Sequence, residues 1–255
     1  MKWTRLHRYR NGERQEVWSE LTTPGLCGDS EIDEVISEVI KRVGNNIQTL
    51  AGRLVTLGYK FGRRDGPYKF RSHSALGEIS QAEQAWGRFP RLVRRLYERF
   101  EFIDFSQHEC QISEGKLRGM GYYPQLYFLS LNECAALRED LARAEEADNR
   151  FMMQMMRERG ETWTPEFTES FLPLGPCASN NSMIGFTLPC ETADATCYDD
   201  GGGPVTFLEH LRHVFECGGF PQLKKYIHYD SLRTFMGMDD PQSVFEYLTH
   251  GLEPI

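Results

Sequence analysis

The stretch Thr206–Pro221, TFLEHLRHVFECGGFP, joins an amphipathic helix to a glycine stop and a Phe-Pro exit. Phe207, Leu208, Leu211, Val214 and Phe215 recur at helical spacing and define a buried face. Gly218-Gly219 gives the backbone freedom to leave the helix, and Phe220-Pro221 carries the chain away. Phe207, Leu211, Arg212, Phe215, Gly218, Gly219, Phe220 and Pro221 thus read as a structural signature, with no residue forced into catalysis. Just upstream, Asp199-Asp200-Gly201-Gly202-Gly203 reads as a loop, and Pro204 opens the helix.

A second stripe lies nearer the N-terminus. Ile32, Val35, Ile36, Val39, Ile40 and Val43 recur every three or four residues, and Ile47, Leu50, Leu54 and Leu57 continue the row. Asp29 or Ser30 caps this helix, Gly58 ends it, and Gly44 predicts a bend, because glycine weakens a helix by about 1 kcal/mol relative to alanine. The basic arm before it, MKWTRLHRYRNGER, reads as a solvated terminal strand, with contact to nucleic acid or an acidic partner as the alternative.

Beyond Gly58, the triplets Tyr59-Lys60-Phe61 and Tyr68-Lys69-Phe70 flank GRRDGP and predict a short hairpin or an extended crossover. Helices follow over Ser74–Trp86 and from Pro90 to Phe100, then a strand over Phe102–Phe105. Arg88, Arg91, Arg94, Arg95 and Arg99 read as a polar face, the alternative being a nucleic-acid patch. Leu126–Leu129 reads as a strand, after which Ser130 caps a long helix reaching about Arg159. Its Met152, Met155 and Met156 are expected to fill the core, or else to form an adaptable partner surface. Short strands at Phe171–Leu174 and Met183–Leu188 precede the signature, and an aromatic-rich, partly helical tail follows it.

With 255 residues, 40% of them apolar, the chain can bury a sizeable core. A net charge of −8 disfavours general nucleic-acid binding and suits a basic partner. No apolar run is long enough to span a membrane. Seven cysteines without a CxxC pair suggest reduced thiols and a cytoplasmic setting.

Motifs for chemistry are sparse. Gly201–Gly203 lacks the Lys-Ser/Thr that a phosphate loop needs, and GxSxG, HExxH and GxGxxG are missing. Cys177 in GPCASNNS reads as a passive thiol. Cys190, Cys197, His210 and His213 are the residue types of a tetrahedral zinc site, but their spacing is not that of a zinc finger, and the histidines read as a half-exposed helix flank. Glu191, Asp194, Asp199 and Asp200 form an acidic group that reads as a solvated loop or a surface for a basic partner, and less readily as paired catalytic carboxylates. No cofactor is expected.

Asn46-Ile47 through Leu57-Gly58-Tyr59-Lys60-Phe61, the segment Ile79–Trp86 with Phe89-Pro90 and Leu92–Phe100, Ile103-Asp104-Phe105, and Thr206-Phe207, His210-Leu211-Arg212, Phe215 and Gly218–Pro221 together resemble the SUKH superfamily, in a branch with a Gly-Gly-Phe-Pro ending. The resemblance covers about residues 31–225. Departures are the long methionine-bearing helix and the CASNNS loop. It implies an α+β fold, an antiparallel-rich central sheet with helices around it. It also implies a non-enzymatic protein-binding role, as an immunity protein neutralising a polymorphic toxin or as a regulator or scaffold. One domain is expected, with its core at 31–225, an N-terminal arm at 1–30 and an extension at 226–255. The partner surface is expected at Glu191, Asp194, Asp199 and Asp200 or at Met152, Met155 and Met156, and the partner as a basic toxin domain. A zinc protein built on Cys190, Cys197, His210 and His213 is the remaining alternative.

Overall fold

In the computed structural model, which describes residues 4–23, 28–72, 76–108, 126–159, 171–176, 183–199, 203–227 and 240–255, the N-terminal stripe folds as one helix, α3 (Asp29–Thr56). Its apolar row from Ile32 to Leu54 is buried. The helix continues through Gly44, where the missing side chain lets the Phe100 ring lie against it. Asp29 and Glu31 sit in the first turn, where carboxylates complement the helix dipole, while the cap position itself is Gly28. Gly58, at φ +81°, ends the helix as expected.

The N-terminal arm is not a strand. It forms α1 (Arg5–Arg10) and α2 (Arg14–Thr22), which bury Tyr9, Val17, Trp18 and Leu21. Three of its arginines are neutralised within the fold: Arg5 pairs with Glu20 at 3.0 Å and Glu31 at 2.7 Å, Arg8 with Glu13 at 2.7 Å, and Arg10 with Glu38 at 2.8 Å. Apolar burial overrides the charge pattern that suggested a free arm.

After α3, β1 (Tyr68–Phe70) pairs antiparallel with β2 (Phe100–Asp104), which pairs on its other side with β3 (Tyr127–Phe128). The two aromatic triplets therefore do not pair with each other. Tyr68 lies opposite Ile103 and Phe61 bridges Gln107, so both run along one segment. The reason is β2 itself: four of its five residues are buried, so it is a central strand that takes a partner on each edge. Between these strands lie α4 (Leu76–Trp86) and α5 (Arg91–Arg99). Three of the α5 arginines are held by acids of the same chain, Arg91 by Asp29 at 2.6 Å, Arg94 by Glu83 at 3.1 Å and Arg95 by Glu98 at 2.7 Å, while Arg99 stands over the Phe70 ring at 4.4 Å.

Ser130 opens α6 (Leu131–Glu158) with a capping box in which Ser130 and Glu133 satisfy each other's backbone amides. β4 (Phe171–Pro176) pairs with β5 (Met183–Thr187), and Leu129 N donates to Leu174 O at 2.8 Å, joining this ladder to the first sheet. β6 (Thr196–Asp199) and β7 (Gly203–Thr206) form a third antiparallel pair beside β5. The architecture is α+β, with small antiparallel sheets and helices around them. The central sheet expected from sequence is thus divided into three small sheets among the described residues.

Pro204 lies in β7 opposite Tyr198, and the signature helix α7 (Phe207–Glu216) starts later, capped by Thr206 with Glu209. Phe207, Leu211, Phe215 and Phe220 are buried. Gly218 and Gly219, at φ +62° and +84°, make the predicted stop, and Gly218 also admits Leu248, whose Cβ would stand 2.9 Å from any added methyl group. Pro221 then begins α8 (Pro221–Ile227), and α9 (Pro241–Thr249) completes the helices described. No helix of the described residues is long and apolar enough to cross a membrane.

The hydrophobic core reaches beyond residues 31–225 at both ends, taking in Tyr9, Trp18, Leu248 and Ile255. Polar groups lock the C-terminal segment to α3. Asn46, 1% exposed, donates to Glu253 O at 2.8 Å and accepts from Glu253 N at 2.7 Å. Arg42 Nη1 donates to Pro254 O at 2.8 Å, and Arg53 Nη1 to Leu248 O at 2.7 Å. Arg42 also pairs with Glu38 at 3.0 Å, and Arg10 reaches Glu38 from α1 at 2.8 Å. Burial pushes the Glu38 carboxyl up, but hydrogen bonds from Arg10 and Arg42 outweigh it and hold it below its ordinary value of 4.5.

Asn46→Ala leaves both backbone groups of Glu253 without that partner, and urea unfolding is expected to show a loss of about 1–3 kcal/mol. Glu38→Gln tests the charge. Because the folded-state value is depressed, the carboxylate's contribution is present above pH 4.5 and lost as pH falls through the folded value. The stability gap between wild type and Glu38→Gln should therefore be widest near neutrality and close below pH 4.5.

Candidate functional site

The acidic group predicted from sequence divides once folded. Glu191 is exposed and lies 3.6 Å from Arg88. Asp199 closes β6, and Asp200 falls outside the described residues. Asp194 is 6% exposed and faces inward. Trp18 Nε1 donates to its Oδ2 at 3.0 Å, Ala195 N to its Oδ1 at 2.8 Å, and Leu208 N to its Oδ2 at 3.3 Å. Burial pushes the Asp194 carboxyl above its ordinary value, with these donors pulling the other way. Its role is to hold a helix start, which corrects the surface role expected for it.

The carbonyls around Asp194 serve the same end. Thr192 O and Ala193 O accept from Arg91 N and Leu92 N, at 3.1 and 3.0 Å, while Ala195 O accepts from Phe207 N at 2.8 Å. One short loop therefore supplies acceptors to the orphan amides that begin both α5 and α7. The acids predicted as a docking face are, at Asp194, a joint between two helices.

The methionines sit differently from the core filling expected of them. From Glu139 to Arg159 no residue whose side chain is described is buried. Met152, Met155 and Met156 are half-buried, Met153 is 50% exposed and Phe151 is 67% exposed. Farther back on α6, Leu131 and Cys134 are buried and Leu137 packs on the core. The helix is thus anchored over its first turns, while its distal half presents Leu141, Phe151 and the methionines outside the core.

The four residues of the zinc alternative are not assembled. Cys197 is buried in β6 opposite Val205, and Cys190 is half-buried with its sulfur 3.1 Å from Thr192 Oγ1. His210 is 3% exposed, its ring lying against Phe207, so it belongs to the buried side of α7 and not to the half-exposed flank expected; His213 is exposed. Among the described residues no three His, Cys, Asp or Glu side chains stand close enough to share a metal ion. Cys177 lies outside the described residues.

A polar pocket of about 340 Å³ opens between β1, α4, β2 and the start of α6, lined by Arg71, Ser72, Glu78, Glu101, Ser130 and Asn132. Its charges are engaged: Arg71 Nε donates to Tyr97 O at 2.7 Å and Nη1 to Glu78 Oε2 at 2.6 Å, and Lys69 meets Glu101 at 2.9 Å. Behind the pocket, Tyr97 Oη lies 3.2 Å from Cys134 Sγ, which donates to Pro173 O at 3.1 Å. Burial pushes the Cys134 thiol up to about 12, so it stays protonated near neutrality and is a packing group rather than a nucleophile.

Sequence reading missed the polar stripe Glu38, Arg42 and Asn46 and the buried Tyr9. The cue was present for the first three, which recur every fourth residue along an otherwise apolar helix. Trp18→Phe keeps the ring but removes the proton donated to Asp194. Urea unfolding should show a loss of about 1–3 kcal/mol, with a larger one for Asp194→Ala, which orphans the Trp18 donor and two backbone amides. Comparison with protein families, with curated proteins and with solved structures finds no match to this chain.

Proposed function

We propose that this chain is a protein-binding protein without chemistry of its own, which engages its partner through the distal half of α6. The observation that carries this reading is the exposure of Phe151 and Met153, at 67% and 50%, beside the half-buried Met152, Met155 and Met156 on a helix whose other half is anchored. Aromatic and methionine side chains form surfaces that repack around a partner, and an exposed apolar group of this kind is costly to keep in water without a use. The net charge of −8 favours a basic partner, since opposite fields speed encounter and select against wrong partners.

The finer reading is an immunity protein that occludes a toxin domain. Its support is the resemblance of the Leu-Gly-Tyr and Gly-Gly-Phe-Pro segments to the SUKH superfamily, together with the acidic balance. A regulatory or scaffolding protein would use the same surface on a different partner.

The test compares the tagged wild type with Phe151→Ser/Met152→Ala/Met155→Ala/Met156→Ala, both purified gently from the native host. Phe151 is exposed and the three methionines are half-buried outside the core, so the variant is expected to stay folded, which its melting curve checks. A near-stoichiometric partner is expected on the wild type, weakened about tenfold or more in the variant. A partner held equally by both refutes this face. A toxin domain whose lethality is relieved by co-expression supports immunity, and a housekeeping partner replaces it with the regulatory reading.

A further inference from the structure

One row of side chains runs along the distal half of α6 to its end. Asp148, Met152, Met155 and Arg159 follow one another at intervals of four, three and four residues, so they share one face of the helix. Arg159 is the C-cap and keeps right-handed helical geometry, which prolongs the row to its last member. Asp148 and Arg159 are exposed, and the two methionines between them are half-buried. Phe151, 67% exposed, and Met156 flank the row on either side.

The two ends of the row bear opposite charges. Among the described residues Arg143 pairs with Asp140 at 2.6 Å and Arg150 with Glu146 at 3.9 Å, both within the helix, while Asp148 and Arg159 enter no ion pair. They cannot meet each other, because the helix between them holds them about 16 Å apart.

Two copies of the row fit each other in one direction only. Laid antiparallel about a two-fold axis between Met153 and Gln154, Asp148 of each copy faces Arg159 of the other, and Met152 faces Met155. The result is two methionine layers bounded at both ends by an opposite-charge pair. Laid parallel, Asp148 faces Asp148 and Arg159 faces Arg159, and opposed like charges repel. Charge thus selects both the occupant and its direction. Methionine suits the middle, because its unbranched thioether repacks easily around a neighbour. The net charge of −8 on each chain opposes association at a distance. Salt confines that field to about 8 Å, so the charges at the contact decide.

We infer that the distal half of α6 pairs antiparallel with the same segment of a second copy, making the protein a two-fold symmetric dimer. The inference rests on the reading of this segment as a docking face and names its occupant. Pairing removes the methionines and Phe151 from water, which is the driving force, and the Asp148–Arg159 pairs set the register.

Sedimentation equilibrium of the full chain, from micromolar to millimolar concentration, tests this. A wild-type dimer is expected. Asp148→Arg and Arg159→Asp each set like charges opposite one another at two symmetric places, and each should weaken the dimer about tenfold. Asp148→Arg/Arg159→Asp rebuilds both pairs with the net charge unchanged and should recover the wild-type constant. The two residues cannot touch within one chain, so recovery reports contact between copies, and a parallel pair would not show it. Met152→Lys/Met155→Lys should leave only monomer; if its melting curve shows that it does not fold, the charge exchange decides. A wild type that stays monomeric throughout overturns the inference, as does a dimer indifferent to both reversals or a double variant no tighter than the single ones. The docking-face reading fails separately, when the Phe151→Ser/Met152→Ala/Met155→Ala/Met156→Ala variant holds a captured partner as well as the wild type does.

Discussion

Along the buried face of α3, Glu38, Arg42 and Asn46 form one polar row among apolar neighbours. Each needs a partner, because an unpaired buried carboxylate or guanidinium costs several kcal/mol. The partners come from opposite directions: Arg10 in α1, and the backbone of Glu253 and Pro254 beyond α9. The position of both flanking segments follows from this requirement. So does the core's extent, since Tyr9 and Ile255 are carried inward with the groups that satisfy α3.

The loop around Asp194 does for the other side of the molecule what the polar row does for α3. Two helices begin at it, and helix starts are where backbone donors are left over. A carboxylate with three N–H donors, flanked by carbonyls that take three more, fixes α5 and α7 relative to each other through hydrogen bonds whose geometry tolerates little drift. Trp18 adds α2 to the joint. The helices are thereby fixed at their ends as well as along their packed faces.

Elements defined by local periodicity were legible in the sequence: the α3 stripe, the Ser130 start of α6 and the glycine stop after α7. Elements defined by distant partners were not. Tyr68–Phe70 reads as half of a hairpin until β2 competes for it, and β2 wins because it is buried and needs pairing on both edges. Thr206-x-x-Glu209 carried its own cap signal, but Pro204 offered a plausible start two residues earlier. The acids were the hardest to read, since Glu191 and Asp194 look alike in sequence and only the approach of Trp18, 176 residues away, separates a surface charge from a buried one. The apolar face of α6 was legible as a pattern, while its place outside the core was not.

The bonds from Asn46 to Glu253 also set an order of events during synthesis. They span 207 residues, which a ribosome adds in roughly 10–40 s at its usual pace. Helix and hairpin formation take microseconds. While the chain emerges, α3 and Arg10 therefore exist long before the C-terminal backbone, and for that time Arg42 and Asn46 hold water where the finished protein holds Pro254 and Glu253. The nascent protein is a half-built core with a wet seam, closed by the segment beyond α9.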